Sequence, residues 1–137
     1  MTKREGFTLI ELMIVVVVIG LLAAMAIPNY MNMQDHAKEA STKTNAHTLQ
    51  MAVEDYSVSN GGIYSVNQAD LKPLLPQQAL MSNSFTGMMS EPQFGAAAAA
   101  MGEIGIVAVV AGGITTGYTI TAWGKDNTVL TIEAGSN

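Results

Sequence analysis

The stretch "REGFTLIELMIVVVVIGLLAAMAIPNY", residues 4–30, decides the fold. From Phe7 to Ile27 only Thr8 and Glu11 are clearly polar. As a helix rising 1.5 Å per residue this segment spans roughly 30 Å, the thickness of a bilayer's hydrocarbon core. Lys3 and Arg4 precede it, and no Lys or Arg follows until Lys38. That asymmetry places the N-terminus in the cytoplasm and the rest of the chain outside. A secretory signal cut near Ala23, Ala24 and Ala26 and a plain membrane anchor both fit the apolar run, yet neither explains Glu11. A carboxylate deep in a spanning helix costs about 2.5–3.5 kcal/mol and normally has a partner; near a helix end it reaches the interface more cheaply.

The composition agrees with a chain that hides apolar surface. Of 137 residues, 49% are hydrophobic and only 12% charged, few for a soluble monomer. With no cysteine, no disulfide supports the core, so an assembly or a membrane is expected to do so. A net charge of -5 argues against non-specific binding to nucleic acid.

Gly6, Phe7, the run Thr8-Leu9-Ile10-Glu11, the apolar segment and Pro28 together resemble the N-terminal signal of type IV pilins and the related type II secretion pseudopilins. The resemblance implies that a prepilin peptidase cuts between Gly6 and Phe7, guided by a leader with Lys3 and Arg4, and then methylates the new amine of Phe7. The apolar helix stays on the mature protein. Glu11 is implied to pair with the charged N-terminus, at Phe7, of a neighbouring subunit. In a low-dielectric filament core, docking in register supplies the charge that an isolated carboxylate lacks. Gly20 and Pro28 are implied to mark a break where related filaments lose helicity, here Leu21 to Ile27; a kink at Pro28 also follows from its missing donor.

The expected class is α+β, a type IV pilin-like fold. A long N-terminal helix, membrane-spanning in its first half, packs by its second half on a small C-terminal antiparallel β-sheet. Residues 1–6 are the leader, 7–30 the transmembrane and filament-core segment, 31–60 the amphipathic helix of the head, 61–103 a connector and 104–137 an antiparallel meander. Thr42, Ala46, Leu49, Val53 and Tyr56 recur at steps of four and three, the face to be covered by the sheet. Met33, Ala37, Ala40, Thr44, His47 and Met51 form a weaker second stripe. Asn60-Gly61-Gly62 stops the helix. Residues 95–113 are apolar enough for a second membrane helix, but Glu103 and five glycines favour a loop and then a strand from Ile104. Further strands are expected over 117–123 and 128–133, with turns at Gly112-Gly113 and Gly124–Asn127.

No catalytic constellation stands out. His36 and His47 lack metal-site spacing, and no nucleotide-binding loop occurs, so neither a metal site nor a cofactor is expected. Asp126, Asn127 and Glu133 resemble the calcium loop of major pseudopilins, but with few carboxylates a plain turn is the better reading. The resemblance implies a self-assembling subunit. It waits in the inner membrane and then enters an extracellular pilus, for adhesion, motility or DNA uptake, or a periplasmic pseudopilus. Its implied partners are copies of itself, the peptidase and an inner-membrane platform with a separate ATPase. The alternative is a type II secretion pseudopilin, a piston subunit. A minor tip subunit is disfavoured by Glu11, and DNA binding by the few lysines left after cleavage. An enzyme would need a visible triad, metal cluster or nucleotide loop.

Overall fold

The computed structural model describes residues 6–135. Helix α1 covers Leu9–Ser59, 51 residues. A four-residue helix α2 (Gln68–Leu71) and two 3-10 turns, Lys72–Leu74 and Pro76–Gln78, follow it. Six strands complete the chain: β1 (Met81–Ser82), β2 (Met89–Glu91), β3 (Gln93–Phe94), β4 (Ile104–Ala111), β5 (Ile114–Trp123) and β6 (Thr128–Gly135). Strands β1 and β2 pair by themselves, and the main sheet has the order β3-β4-β5-β6. This is the expected α+β arrangement of a long helix and a small sheet. The sheet is one strand wider than the meander read from sequence, because β3 adds a parallel edge to β4, with Gln93 opposite Gly105 and Phe94 opposite Ile106.

Two compact units make up the chain, residues 1–35 and residues 36–137. The first contains the apolar part of α1. The second has a core between one face of α1 and one face of the sheet. Thr42, Ala46, Leu49, Ala52, Val53 and Ser57 are the buried residues of α1, so the stripe at steps of four and three is the covered one. Ile104 and Ile106 of β4 and Tyr118, Ile120 and Ala122 of β5 face it in alternation, and Leu71, Leu75 and Met81 close the side. Ala40, Thr44, His47 and Met51 on the second stripe are exposed. Thr44 and Thr48 donate their hydroxyls to the Ala40 and Thr44 carbonyls, each at 3.0 Å, so these polar atoms are satisfied within the helix.

The ambiguous residues 95–113 resolve into a loop and a strand. The Glu103 carboxylate accepts the amides of Ala99 (3.0 Å) and Ala100 (2.9 Å), folding the alanine run into a turn. The amide of Ala98 donates to the Thr121 hydroxyl at 2.7 Å, which fixes this loop on the sheet's outer face. There it lies so close to Gly105 that any side chain would strike the backbone of Ala96, Ala97 and Ala98. Glycine at 105 is thus set by close approach. At the hairpin between β4 and β5, Gly112 and Gly113 both have positive φ, 61° and 83°, as a two-residue turn of matching twist requires.

One polar contact crosses the core. Tyr118 is fully buried, its ring 5.3 Å edge-on from Tyr64, and its hydroxyl donates to Glu54 at 2.6 Å. Burial first, and the neighbouring Glu54 carboxyl second, push the phenol well above its ordinary range. The folded state therefore keeps this proton at pH values where an unfolded tyrosine, near pKa 10, loses it. Stability from this group is complete below about pH 10 and is lost as pH rises beyond it. In Tyr118→Phe we expect a loss of about 1.5–3 kcal/mol at neutral pH, the worth of a hydrogen bond to a charged group. A shallower alkaline fall should accompany it. Denaturant melts of the detergent-solubilised chain at pH 7 and pH 11 measure both; an unchanged melt would mean the contact contributes nothing.

Candidate processing and assembly site

The first turn of α1 is built from the polar residues that the apolar run seemed to tolerate. Thr8 precedes the helix as its N-cap. Its carbonyl accepts the first helical bond, from the Leu12 amide at 3.3 Å. Its hydroxyl accepts the Glu11 amide at 3.3 Å, while the Glu11 carboxylate accepts both the Thr8 amide (2.9 Å) and the Thr8 hydroxyl (2.7 Å). This is a reciprocal capping box, Thr-x-x-Glu, which satisfies amides that a helix start leaves without partners. A carboxylate in the first turn also faces the positive end of the helix dipole. The sequence reading singled out Glu11 but missed Thr8 as its partner, although the three-residue separation was the signal.

Glu11 is held within its own chain but is not enclosed. Every large hydrophobic side chain from Phe7 to Ile27 is exposed, from 47% at Val18 to 83% at Phe7. Among the described residues α1 is the one helix long and apolar enough to cross a membrane. Gly6 and Gly20 share a property: a side chain built at either would meet open space, and neither has a left-handed backbone. Among the described residues nothing demands glycine at these positions. In mid-helix, Gly20 even costs about 1 kcal/mol against alanine. α1 passes through both Gly20 and Pro28 without interruption. Lys3 and Arg4 lie outside the described residues.

The remaining polar residues serve the fold. Fully buried Glu91 accepts Asn83 Nδ2 (3.1 Å), the Ser90 hydroxyl (3.0 Å) and the Ile104 amide (2.9 Å), which ties β2 to the start of β4. Its burial was not legible in sequence, since it depends on Asn83 and Ile104, which the fold brings to it from outside its own strand. Asp126 and Asn127 lie in the β5–β6 turn, where the Gly124 amide donates to the Asn127 carbonyl at 2.8 Å. Glu133 lies on β6 opposite Thr119, so these three residues converge on no common point. His36 is 3.8 Å from Glu39, and His47 is 3.2 Å from the Gln50 side chain. Among the described residues no group of three or more His, Cys, Asp or Glu side chains is placed to hold a metal ion.

Comparison with known proteins converges on the same segment. Residues 1–27 match the family model described as the prokaryotic N-terminal methylation motif. The chain is 50% identical over 54 residues to the type IV major pilin protein PilA of Myxococcus xanthus, covering 39% of this chain and 24% of that protein. It is 37% identical over 71 residues to the type IV narrow pilus major component PilA5 of Thermus thermophilus, covering 52% and 61%. It is also 38% identical over 66 residues to the type II secretion system core protein G of Pseudomonas aeruginosa, covering 48% and 46%. The chain thus spans less than two thirds of each of these relatives. No solved structure matches it.

Removing the cap isolates its contribution. In Thr8→Val we expect the first turn to lose about 1 kcal/mol of helix stability. Amide exchange at Leu12 in detergent micelles should then quicken by about fivefold, as that energy implies. Unchanged exchange would show that Thr8 does not hold the turn.

Proposed function

We propose, from a chain that belongs by its N-terminal segment to the type IV pilin and type II secretion pseudopilin family, that this protein is a structural subunit of a pilus-like helical filament rather than an enzyme. The observation that carries the proposal is the capped Glu11 at the head of a helix whose large apolar side chains up to Ile27 are all exposed. Before assembly, lipid covers that surface and the chain sits in the inner membrane with its N-terminus in the cytoplasm. In the filament, neighbouring copies of the same helix replace the lipid. Energy is supplied by an assembly ATPase on a separate platform protein.

Processing accounts for Gly6. With no side chain needed or excluded by the fold, the demand for glycine falls to the peptidase, whose cut would leave the amine of Phe7 two residues before α1. A positive amine at the positive end of a helix dipole is unfavourable and draws a carboxylate. Glu11 of the same or a neighbouring subunit supplies it. The intrachain cap also lowers the cost of holding Glu11 near the membrane before a neighbour arrives, because its Oε2 already accepts two hydrogen bonds. Gly20 and Pro28 then serve as points where α1 loosens during packing.

The pseudopilin reading stays as the second one. It is supported by similarity to type II secretion core proteins G over 66 to 75 residues, a length comparable to the 71-residue match to the narrow pilus component. Imaging of the sheared surface fraction, with mass spectrometry of the N-terminus, separates the two. Long fibres beginning at N-methylated Phe7 support a pilin; the same terminus confined to a periplasmic or membrane pool supports a pseudopilin.

Two variants test the assignment. Gly6→Phe is expected to leave the full-length chain unprocessed, and loss of the first six residues in that variant would refute the cleavage position. Glu11→Ala is expected to insert normally but to lower filament yield severalfold, and a normal yield would remove the pairing argument.

A further inference from the structure

Asn60 is the one asparagine of the sequence that is followed by glycine. It stands in the turn that ends α1, where Val58, Ser59, Asn60, Gly61 and Gly62 are all exposed. The Asn60 amide donates to the carbonyls of Tyr56 (3.0 Å) and Ser57 (3.2 Å), and the Gly62 amide reaches back to the Ser57 carbonyl at 2.9 Å. Gly61, between them, has a φ of 66°, the left-handed conformation that closes many helices. Such a turn commonly has a second bond, here from the Gly61 amide to the Val58 carbonyl. That bond is not made, and among the described residues the Gly61 amide has no hydrogen-bond partner. A side chain built at Gly61 would meet nothing within 4 Å, so the backbone there is unshielded.

The pair holds both partners of a cyclisation. Asn60 offers its side-chain amide carbon, Cγ, and the next backbone nitrogen closes a five-membered ring when it bonds to that carbon. Glycine presents no side chain to hinder the approach. Asn60 Nδ2 donates to the Tyr56 carbonyl at 2.9 Å, which holds the side chain against the helix only while the last turn is closed. The bond that closes the turn from the far side, from the Ile63 amide to the Asn60 carbonyl, is long at 3.4 Å. An exposed helix end of this kind opens locally at little cost, and each opening frees the side chain.

We infer that Asn60 is a site of spontaneous modification, at which the side-chain amide is lost and aspartate or isoaspartate takes its place. The Gly61 amide gives up its proton and its nitrogen bonds to Asn60 Cγ. The Cγ–Nδ2 bond breaks, and that nitrogen takes up the proton and leaves as ammonia. One water molecule then opens the resulting succinimide. Cleavage between Cγ and the ring nitrogen gives aspartate; cleavage between the backbone carbonyl and the ring nitrogen gives isoaspartate. Either product puts a carboxylate at the carbonyl end of α1, where negative charge is unfavourable, and removes the donor to Tyr56. Isoaspartate also lengthens the backbone by one carbon within the turn. The turn leads into Tyr64, whose amide donates to the Thr115 carbonyl at 3.3 Å and whose ring packs edge-on against Tyr118. Conversion therefore loosens the join between α1 and β5 in a head that has no disulfide.

The full chain in detergent, folded or unfolded in guanidinium, is incubated at pH 7 and pH 9. Peptide mapping by mass spectrometry then follows each asparagine, and an isoaspartate methyltransferase marks the isomerised product. In the folded chain Asn60 is expected to convert ahead of every other asparagine, and severalfold faster at pH 9, where more of the attacking amide is deprotonated. Asn60→Gln, whose longer side chain closes a ring more slowly, should remain unmodified at this position. Conversion confined to the unfolded chain would show that the turn protects Asn60 and would overturn the inference, as would no conversion at all or another asparagine reacting first. Asn60→Asp imitates one product. Its Gly62 and Tyr64 amides should exchange severalfold faster than in the parent chain, and unchanged exchange would overturn the loosening of the α1–β5 join.

Discussion

From Leu9 to Ile27 the helix presents apolar side chains on every face, and the described chain has nothing to put against them. At about 25 cal/mol per Å² such a surface is strongly unfavourable in water. On the proposed function it is covered first by lipid and then by protein of similar polarity. The step between the two covers is possible because lipid and a bundle of like helices are nearly equivalent solvents for aliphatic side chains. What distinguishes one register from another in that bundle is therefore polar, and Glu11 is the one charged group in the segment.

On the proposed function the capping box lets Glu11 serve two consecutive uses. In the isolated chain its oxygens accept the Thr8 amide and hydroxyl, so the helix starts cleanly and the carboxylate is not left unsatisfied. Those bonds involve one carboxylate oxygen, Oε2, which leaves the second oxygen able to accept from a neighbour's amine without dismantling the cap. Local stability and intersubunit pairing are in this way compatible demands on a single side chain.

The head solves a different problem. It lacks disulfides and builds its core from one stripe of α1 and alternate residues of β4 and β5. Its buried polar groups are few and mostly paired: Tyr118 with Glu54, and Glu91 with Asn83, Ser90 and Ile104. The Tyr118–Glu54 bond ties the sheet to the helix, and the Glu91–Ile104 bond ties β2 to β4, where a small aliphatic core alone would permit slippage.

The sequence by itself determined the elements whose cause is local. A continuous apolar run dictates a long helix, steps of three and four mark its covered face, and Asn60-Gly61-Gly62 ends it; the Thr8–Glu11 cap at its start is equally local but went unread. The hairpins at Gly112-Gly113 and Gly124–Asn127 were legible for the same reason, since turn geometry is set by two to four adjacent residues. Only the tertiary structure decided the alanine-rich loop over Gly105, the parallel edge strand β3 and the burial of Glu91. These depend on contacts such as Ala98 with Thr121 and Glu91 with Ile104, between residues remote in sequence. Residues 95–113 are apolar enough for a membrane helix, although Glu103 and five glycines favour a loop and a strand. The Glu103 carboxylate, bonded to two alanine amides, turned the first part into a loop, and pairing with β5 drew the second part into a strand.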